Sequence, residues 1–527
     1  DRGVVLDNEF RYLQPKHRGT LQLSLINDQL TQKQGLRYVD RRGNILVDPE
    51  ISERWRLGYN GSQNWGYGFS SNINWQEVSD PDFYNDIPLS FGYQETRKGF
   101  SDASGGTNQT TSLVRNIKLN YRNGPLQAHI QHYGFLPLRN GENNYLEKHP
   151  EIGLNLNKTW YGFRTNVYLE STEFVRYQGF NNFIQDGYVS GQIHPTGVMG
   201  QRTLVQPKIS YQLSRPYGYL QTDVQANYRQ YELKNADPLA STDNTVMQYA
   251  IKGGLIFERD LSLLGRNFIQ TMEPEVQFLY VPYVDQSHLT KFDTSEASLD
   301  FSNIFRLNRF SGFDRIGDTN QISVAITNRV LNESGKPLAD AAVGQIFYLE
   351  DRQVTLAGNE LQEEPKSDYF VKLGIYLKPL YFASTSQFDH ENKKLNQINN
   401  RLKVQAFNRI ELLVSHQALN LDADPALDNT ANVNRRQQTI AAGAIIRLNS
   451  EWQLSSYVNY DIQIEQRREL LVGLRYDDCC WGAELILDKV QVADQRYKER
   501  IQFVIEFKGL SSFGSRLSDT IKNTLNF

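Results

Sequence analysis

Thr20-Leu21-Gln22-Leu23-Ser24-Leu25 places a leucine at every second position with a polar side chain before each. Successive side chains of an extended chain point to opposite faces, so this stretch reads as a strand with one apolar and one polar face. The pattern recurs along the whole chain. Ile117, Leu119 and Tyr121 alternate with Asn116, Lys118 and Asn120, and Ile152, Leu154 and Leu156 with Gly153, Asn155 and Asn157. Leu402, Val404 and Ala406 alternate with Lys403 and Gln405. Near the end, Ile501, Phe503, Ile505 and Phe507 alternate with Gln502, Val504, Glu506 and Lys508. A soluble sandwich also alternates, but seldom so far and with so many Asn, Gln, Arg and Lys on the second face.

Composition narrows the class. Over 527 residues the mean hydropathy is −0.55, yet aromatic content is 12%, with 29 Tyr and 27 Phe. No apolar run reaches the roughly eighteen residues a membrane helix needs. A polar average with many amphipathic rings suits a transmembrane β-barrel. Half of each strand meets lipid, half meets a wet lumen, and Tyr and Trp ring the interfaces. A net charge of −4 gives no electrostatic case for nucleic acid. Two cysteines cannot form a disulfide framework. No repeat of fixed period occurs, which counts against a propeller.

The connections alternate as well. Asn123-Gly124-Pro125 is a tight turn. Asp28 to Ser52, Asp237 to Asn244, Asp285 to Asn320 and Asn420 to Arg435 are long and polar. Short turns on one rim and long loops on the other are the outer-membrane arrangement. The expected fold is all-β: a large antiparallel transmembrane β-barrel of about 24–26 strands, with short periplasmic turns and long extracellular loops. Residues 1–510 are assigned to the barrel and 511–527 to a polar periplasmic tail. The chain starts at Asp1-Arg2-Gly3-Val4-Val5, already strand-like, so it is expected to be a mature, truncated chain.

Three groups of residues stand out. Cys479 and Cys480 sit in the turn-like Asp477-Asp478-Cys479-Cys480-Trp481. Adjacent cysteines seldom bond to each other, because their Cβ vectors diverge. Either they are spare or their partners lie outside this sequence. Two sulfurs with no nearby His do not make a zinc shell. The Asp285–Gln321 connection carries Phe292, Phe301, Phe305, Phe310 and Phe313. So many rings disfavour free solvation, so the loop is expected to pack on the barrel mouth. Its Arg306, Arg309 and Arg315 are expected to pair with Asp300, Asp314 and Asp318 rather than with lipid phosphates. The two ends of the barrel form the third group. Asp422, Asp424 and Asp428 lack the Gly and terminal Glu of a calcium loop and read as a solvated external loop. The eight His are scattered and no G-x-S-x-G elbow occurs, so no enzyme, cofactor or metal site is expected.

Several words, in order, carry a resemblance. They are Thr271-Met272-Glu273-Pro274-Glu275 and its continuation to Gln286, Asn303 to Gln321, Gly344 to Leu349, and the Cys479-Cys480 pair. With the final strand and Lys508-Gly509-Leu510-Ser511-Ser512, they closely resemble the barrel portion of the LptD family of lipopolysaccharide-assembly outer-membrane proteins. The resemblance covers nearly the whole chain, and Asn8-Glu9-Phe10-Arg11-Tyr12-Leu13 resembles an early strand of that barrel, the second, which implies that the first strand is missing or incomplete here. It implies a Gram-negative outer-membrane translocon: saccharide passes through the lumen, and lipid through a lateral gate between first and last strands. Asp7, Glu9 and Arg11 would then lie at the seam opposite Gln502, Phe503, Val504, Glu506 and Lys508. Phe305, Arg306, Arg309, Phe313, Asp314 and Arg315 would belong to the extracellular capping loop. It also implies that Cys479 and Cys480 face the periplasm and bridge to an N-terminal domain preceding Asp1. The implied partners are lipopolysaccharide, outer-membrane lipids, the plug lipoprotein LptE in the lumen and the periplasmic bridge protein LptA. The rival reading is a porin or nutrient receptor barrel.

Overall fold

The computed structural model describes residues 4–29, 36–39, 45–48, 52–80, 83, 87, 112–138, 146–176, 198–234, 241–263, 265–356, 362–391, 393–421, 435–491, 497–507, 511–513, 516–525 and 527. One 25-stranded sheet contains nearly all of its regular structure. Each strand pairs antiparallel with the next, from Val5–Leu13 with His17–Asn27 round to Trp481–Gln491 with Tyr497–Phe507. A small separate hairpin, Leu36–Val39 with Ile45–Asp48, lies within the first long connection. Ser241–Leu255 and Phe257–Leu263 pair one after the other with Arg266–Val281, so Ile256 marks a break within one stave.

The faces are those of a barrel in lipid. On His17–Asn27, Leu21 and Leu25 are 41% and 42% exposed, while Gln22 and Ser24 on the opposite face are buried. Exposing leucine and burying glutamine is unfavourable in water. It is favourable when the outside is hydrocarbon and the inside holds hydrogen-bonding partners. Arg54, Arg56, Arg202, Arg229 and Arg475 are all buried on the lumenal side.

Short and long connections alternate as the sequence indicates. Tyr67, Tyr161, Tyr217 and Phe407 stand exposed in the short turns, with Trp65 and Trp160 beside them, making an aromatic belt at that rim. Gly68, with φ +87°, makes such a turn possible: a Cβ there would strike the Arg122 carbonyl. At the other rim the long connections fold inward. Phe83 and Ile87 pack with Ile26, Val78, Leu113 and Leu136 inside the wall of the early strands. Beneath them Arg54 is held by Asp28 (2.9 Å) and Asp80 (2.7 Å), all three fully buried.

The segment after residue 510, expected as a polar tail, carries two elements. Ser511–Phe513 pairs with the last long strand, and helix α1 (Leu517–Thr524) lies against the inner wall.

Candidate functional site

The connection from 282 to 318 is built into the barrel mouth around one arginine. Arg202, on the strand Met199–Arg215, is fully buried. Its guanidinium donates to Asp293 Oδ1 (2.7 Å) and Oδ2 (2.9 Å), to Asp314 Oδ1 (2.7 Å) and to Glu170 Oε1 (3.2 Å). Lys148 reaches Asp293 from the neighbouring wall at 3.0 Å. Burial pulls the Asp293 carboxyl up, but the hydrogen bonds and charge of Arg202, with Lys148, outweigh it and hold it well below the usual carboxylate range. Asp314 Oδ2 accepts from the backbone N–H groups of Phe292 and Asp293, at 2.7 and 2.8 Å. Tyr231 donates to its other oxygen at 3.0 Å. Phe292 stacks on Phe174 with centroids 4.2 Å apart, and Arg202 lies over the Phe174 and Phe313 rings.

The loop arginines behave differently from one another. Arg309 pairs with Asp318 at 3.2 Å and donates to the Val354 carbonyl. Arg315 donates instead to the carbonyls of Asp314 and Leu289, and Arg306 to that of Phe310. The expected Arg–Asp set inside the loop therefore reduces to one pair. Asp314 is taken by Arg202 from the wall, 112 residues away in sequence. Of the aromatics, Phe310 is buried, and Phe301 and Phe305 pack on the cluster of Ile304, Ala325, Ile346 and Phe370. The geometry makes the loop a docked lid.

The described residues expected at a seam lie on the strands Val5–Leu13 and Tyr497–Phe507. On the first strand, Leu6 and Phe10 face outward, and Asp7, Glu9 and Arg11 face the lumen. Glu9 is buried, paired with Arg11 at 2.5 Å and accepting from Gln22 at 2.8 Å. On the last strand, Phe503 faces outward at 66% exposure. Gln502, Val504 and Glu506 take the other face, with Val504 buried against α1. Glu506 accepts from Arg475 (2.6 Å) and Arg516 (3.0 Å). Lys508 lies outside the described residues, as do Asp422, Asp424 and Asp428. Among the described residues, no backbone pairing joins Val5–Leu13 to Tyr497–Phe507. Ser511–Phe513 pairs with the latter and lies beside the former. A cavity of about 690 Å³ lies along the early strands, lined by Arg11, Tyr12, Asn60 and Asn74 among others, with Glu506 and Phe507 at its side.

Cys479 and Cys480 are exposed in the turn after Asp477, on the short-turn rim, with their sulfurs 2.8 Å apart. Among the described residues, the group with metal-ligand character is Asp368, Asp389 and His390, at the long-loop rim. Asp368 already accepts from Gln387 and Asn396, both at 2.8 Å, so its carboxylate is engaged within the protein.

A family model described as "LptD: LPS transport system D" matches residues 52–429. Curated relatives named LPS-assembly protein LptD are 27% identical in Nitrosospira multiformis (98% of this chain, 50% of the relative) and 27% in Chromobacterium violaceum (99% and 60%). A third, from Pseudomonas aeruginosa, is 25% identical over 92% of this chain and 54% of its own length. The chain thus spans 50% to 60% of the length of these relatives. Among solved structures, a ferric enterobactin receptor mutant from Pseudomonas aeruginosa covers 89% of this chain and 79% of its own, with 10% identity and a TM-score of 0.39. The copper transporter OprC covers 96% and 70%, with 10% identity and a TM-score of 0.35. Likeness at that level says nothing about cargo.

Proposed function

This chain belongs to the LPS transport system D family of Gram-negative outer-membrane β-barrels, and from that membership we propose that it delivers lipopolysaccharide to the outer leaflet through its own wall. The saccharide traverses the polar lumen, while the acyl chains leave sideways between the first and last strands. Residues 1–510 form the membrane-spanning part and 511–527 a tail on the periplasmic side. One observation carries the reading: residues 52–429 match the family model, on a sheet whose strands turn apolar side chains outward and polar ones into the lumen. A barrel in lipid normally leaves no strand edge open, because every unpaired N–H and C=O there is costly. The reading puts the lateral exit where that rule would be relaxed, between the barrel's first and last strands. Glu9, Arg11 and Glu506 on its lumenal side offer charge to a polar cargo, and Leu6, Phe10 and Phe503 on its outer side meet acyl chains.

The partners follow from the family. A lipoprotein of the LptE kind occupies the lumen from below. A bridge protein of the LptA kind delivers cargo through a domain preceding Asp1, to which Cys479 and Cys480 are bonded. A porin or nutrient receptor is the rival reading, and the family match argues against it.

A photoreactive residue at Phe503, and separately at Val504, tests the proposal in cells carrying the full-length protein. Adducts with lipopolysaccharide at Phe503 that vanish when its supply stops are the expected result. Adducts elsewhere in the lumen with none at either seam position would remove the lateral route and leave only a barrel.

A further inference from the structure

We infer that Thr20, Asn60, Asn74, Asn116 and Tyr133 form a saccharide-binding rung on the lumenal wall: five uncharged hydrogen-bonding side chains in one register across five neighbouring strands. This rests on the reading of the lumen as the saccharide's route and names where the wall holds that cargo.

The pairing register builds the row. Thr20 is the direct cross-strand partner of Asn60, Asn60 of Asn74, Asn74 of Asn116, and Asn116 of Tyr133. Directly paired residues share a face. Here it is the lumenal one: Thr20 lies on the side of buried Gln22 and Ser24, and Asn116 opposite the outward Ile117. Neighbouring strands stand about 4.8 Å apart, so the four steps cover about 19 Å. Barrel strands are tilted, and a row across them therefore climbs. Thr20 lies near the short-turn end of His17–Asn27, and Tyr133 nearer the long-loop end of Leu126–Pro137. The rung is set apart by side chains left unanswered. The Asn74 and Asn116 Oδ1 atoms are buried with no hydrogen-bond partner among the described residues, which a folded wall usually avoids. Other lumenal amides answer one another. Asn166 and Asn157 both donate to Asn155 Oδ1, at 2.6 and 2.9 Å, and Gln22 joins Arg56 (2.6 Å) to Glu9 (2.8 Å). Asn60, Asn74 and Asn116 line the cavity along the early strands, so turning either amide about its last bond brings the unanswered oxygen to a ligand. The chemistry selects that ligand. Amides and hydroxyls both donate and accept, which suits a polyhydroxyl chain that does the same. The row itself carries no charge, and the cations directly beside its ends are already paired. Arg11, beside Thr20, is held by Glu9, and Lys148, beside Tyr133, by Asp293 (3.0 Å) and Glu151 (3.1 Å). Hydrogen bonds between neutral groups are individually weak, and several in line let a cargo pass rather than lodge.

Photo-crosslinking in cells carrying the full-length protein reads this out. Asn72 lies beside the rung on the same face and lines the same cavity. A photoreactive residue there should give lipopolysaccharide adducts several-fold stronger than one at Asn157, within the self-bonded group. Asn60→Ala combined with Asn116→Ala should lower the Asn72 adduct about fivefold and leave that at Asn157 unchanged. Asn60→Gln with Asn116→Gln keeps the amides and should retain most of it. Asn60 is exposed, so Asn60→Ala alone, with about a twofold loss expected, serves if the alanine pair inserts poorly. Equal adducts at Asn72 and Asn157, or an Asn72 adduct indifferent to these alanines, would overturn the rung. Adducts at Phe503 with none at Asn72 would overturn the rung and leave the lateral exit. Adducts at Asn72 that respond to the alanines, with none at Phe503 or Val504, would defeat the lateral exit and leave the rung in place.

Discussion

Arg202 answers three carboxylates from a fully buried position. Removing one partner of a buried ion cluster strands the rest, and typically costs about 3–5 kcal/mol. Arg202→Met keeps much of the volume but leaves Glu170, Asp293 and Asp314 facing one another. Opening of the loop around 292–318 should become easier by about that amount, seen as faster amide exchange there while the strands keep their protection. Arg202→Lys should fall between the two, since an ammonium cannot reproduce a planar fork reaching three acids. Equal exchange in all three proteins would mean that stacking of Phe292 on Phe174, not charge, holds the lid. Gly312 belongs to the same argument. At φ +67°, any side chain there is strained and would meet the Asp293 carbonyl.

At the scale of elements, the strands show why sequence reading went as far as it did. On Gly218–Lys234, Val224 faces lipid, while Asp223, Gln225 and Asn227 face inward, and Gln225 donates to Asn227 at 2.8 Å. Val224→Arg should destabilise the barrel by about 2–4 kcal/mol, and Gln225→Arg by much less. Unfolding in urea from lipid vesicles measures both, and equal losses would contradict the face assignment. Period two is a local property of the chain, so facing was legible residue by residue in Thr20–Leu25 and Ile501–Phe507. The Arg202 cluster was not legible, because its members are spread from Lys148 to Asp314 and meet only once neighbouring strands pair and the 282–318 connection folds back on them. The helix was legible in principle. Leu517, Ile521 and Leu525 carry a four-residue spacing, but eight residues containing Ser, Asp, Thr, Lys and Asn read more readily as a polar tail. The hairpin at Leu36–Val39 and Ile45–Asp48 was likewise hidden within a connection read only as long and polar.

For the whole molecule, the two ends of the lumen differ in how they are filled. The 282–318 lid rests on lumenal residues from Lys148 to Phe370, and Phe83 and Ile87 pack inside the early strands. Among the described residues, the outer mouth is thus partly filled from two sides of the wall. On the lateral route proposed above, a large cargo would meet less resistance sideways than outward. Ion conductance across a planar bilayer tests this asymmetry directly. The parent barrel should pass little current, and replacing residues 286–316 by a short flexible linker should raise the single-channel step several-fold, roughly as the freed mouth area. Acidification should act through Asp293. Its carboxyl is held below the usual range, so its contribution to docking is fully present above about pH 4 and lost only as pH falls further, towards the folded value. Conductance should therefore stay flat from about pH 8 to 5 and rise only below about 4. Arg202→Met removes the group that holds Asp293 down, so its transition should move to higher pH. A parent that conducts as freely as the loop-replaced barrel would show that the mouth is already open, and the case for a sideways exit would lose its physical reason.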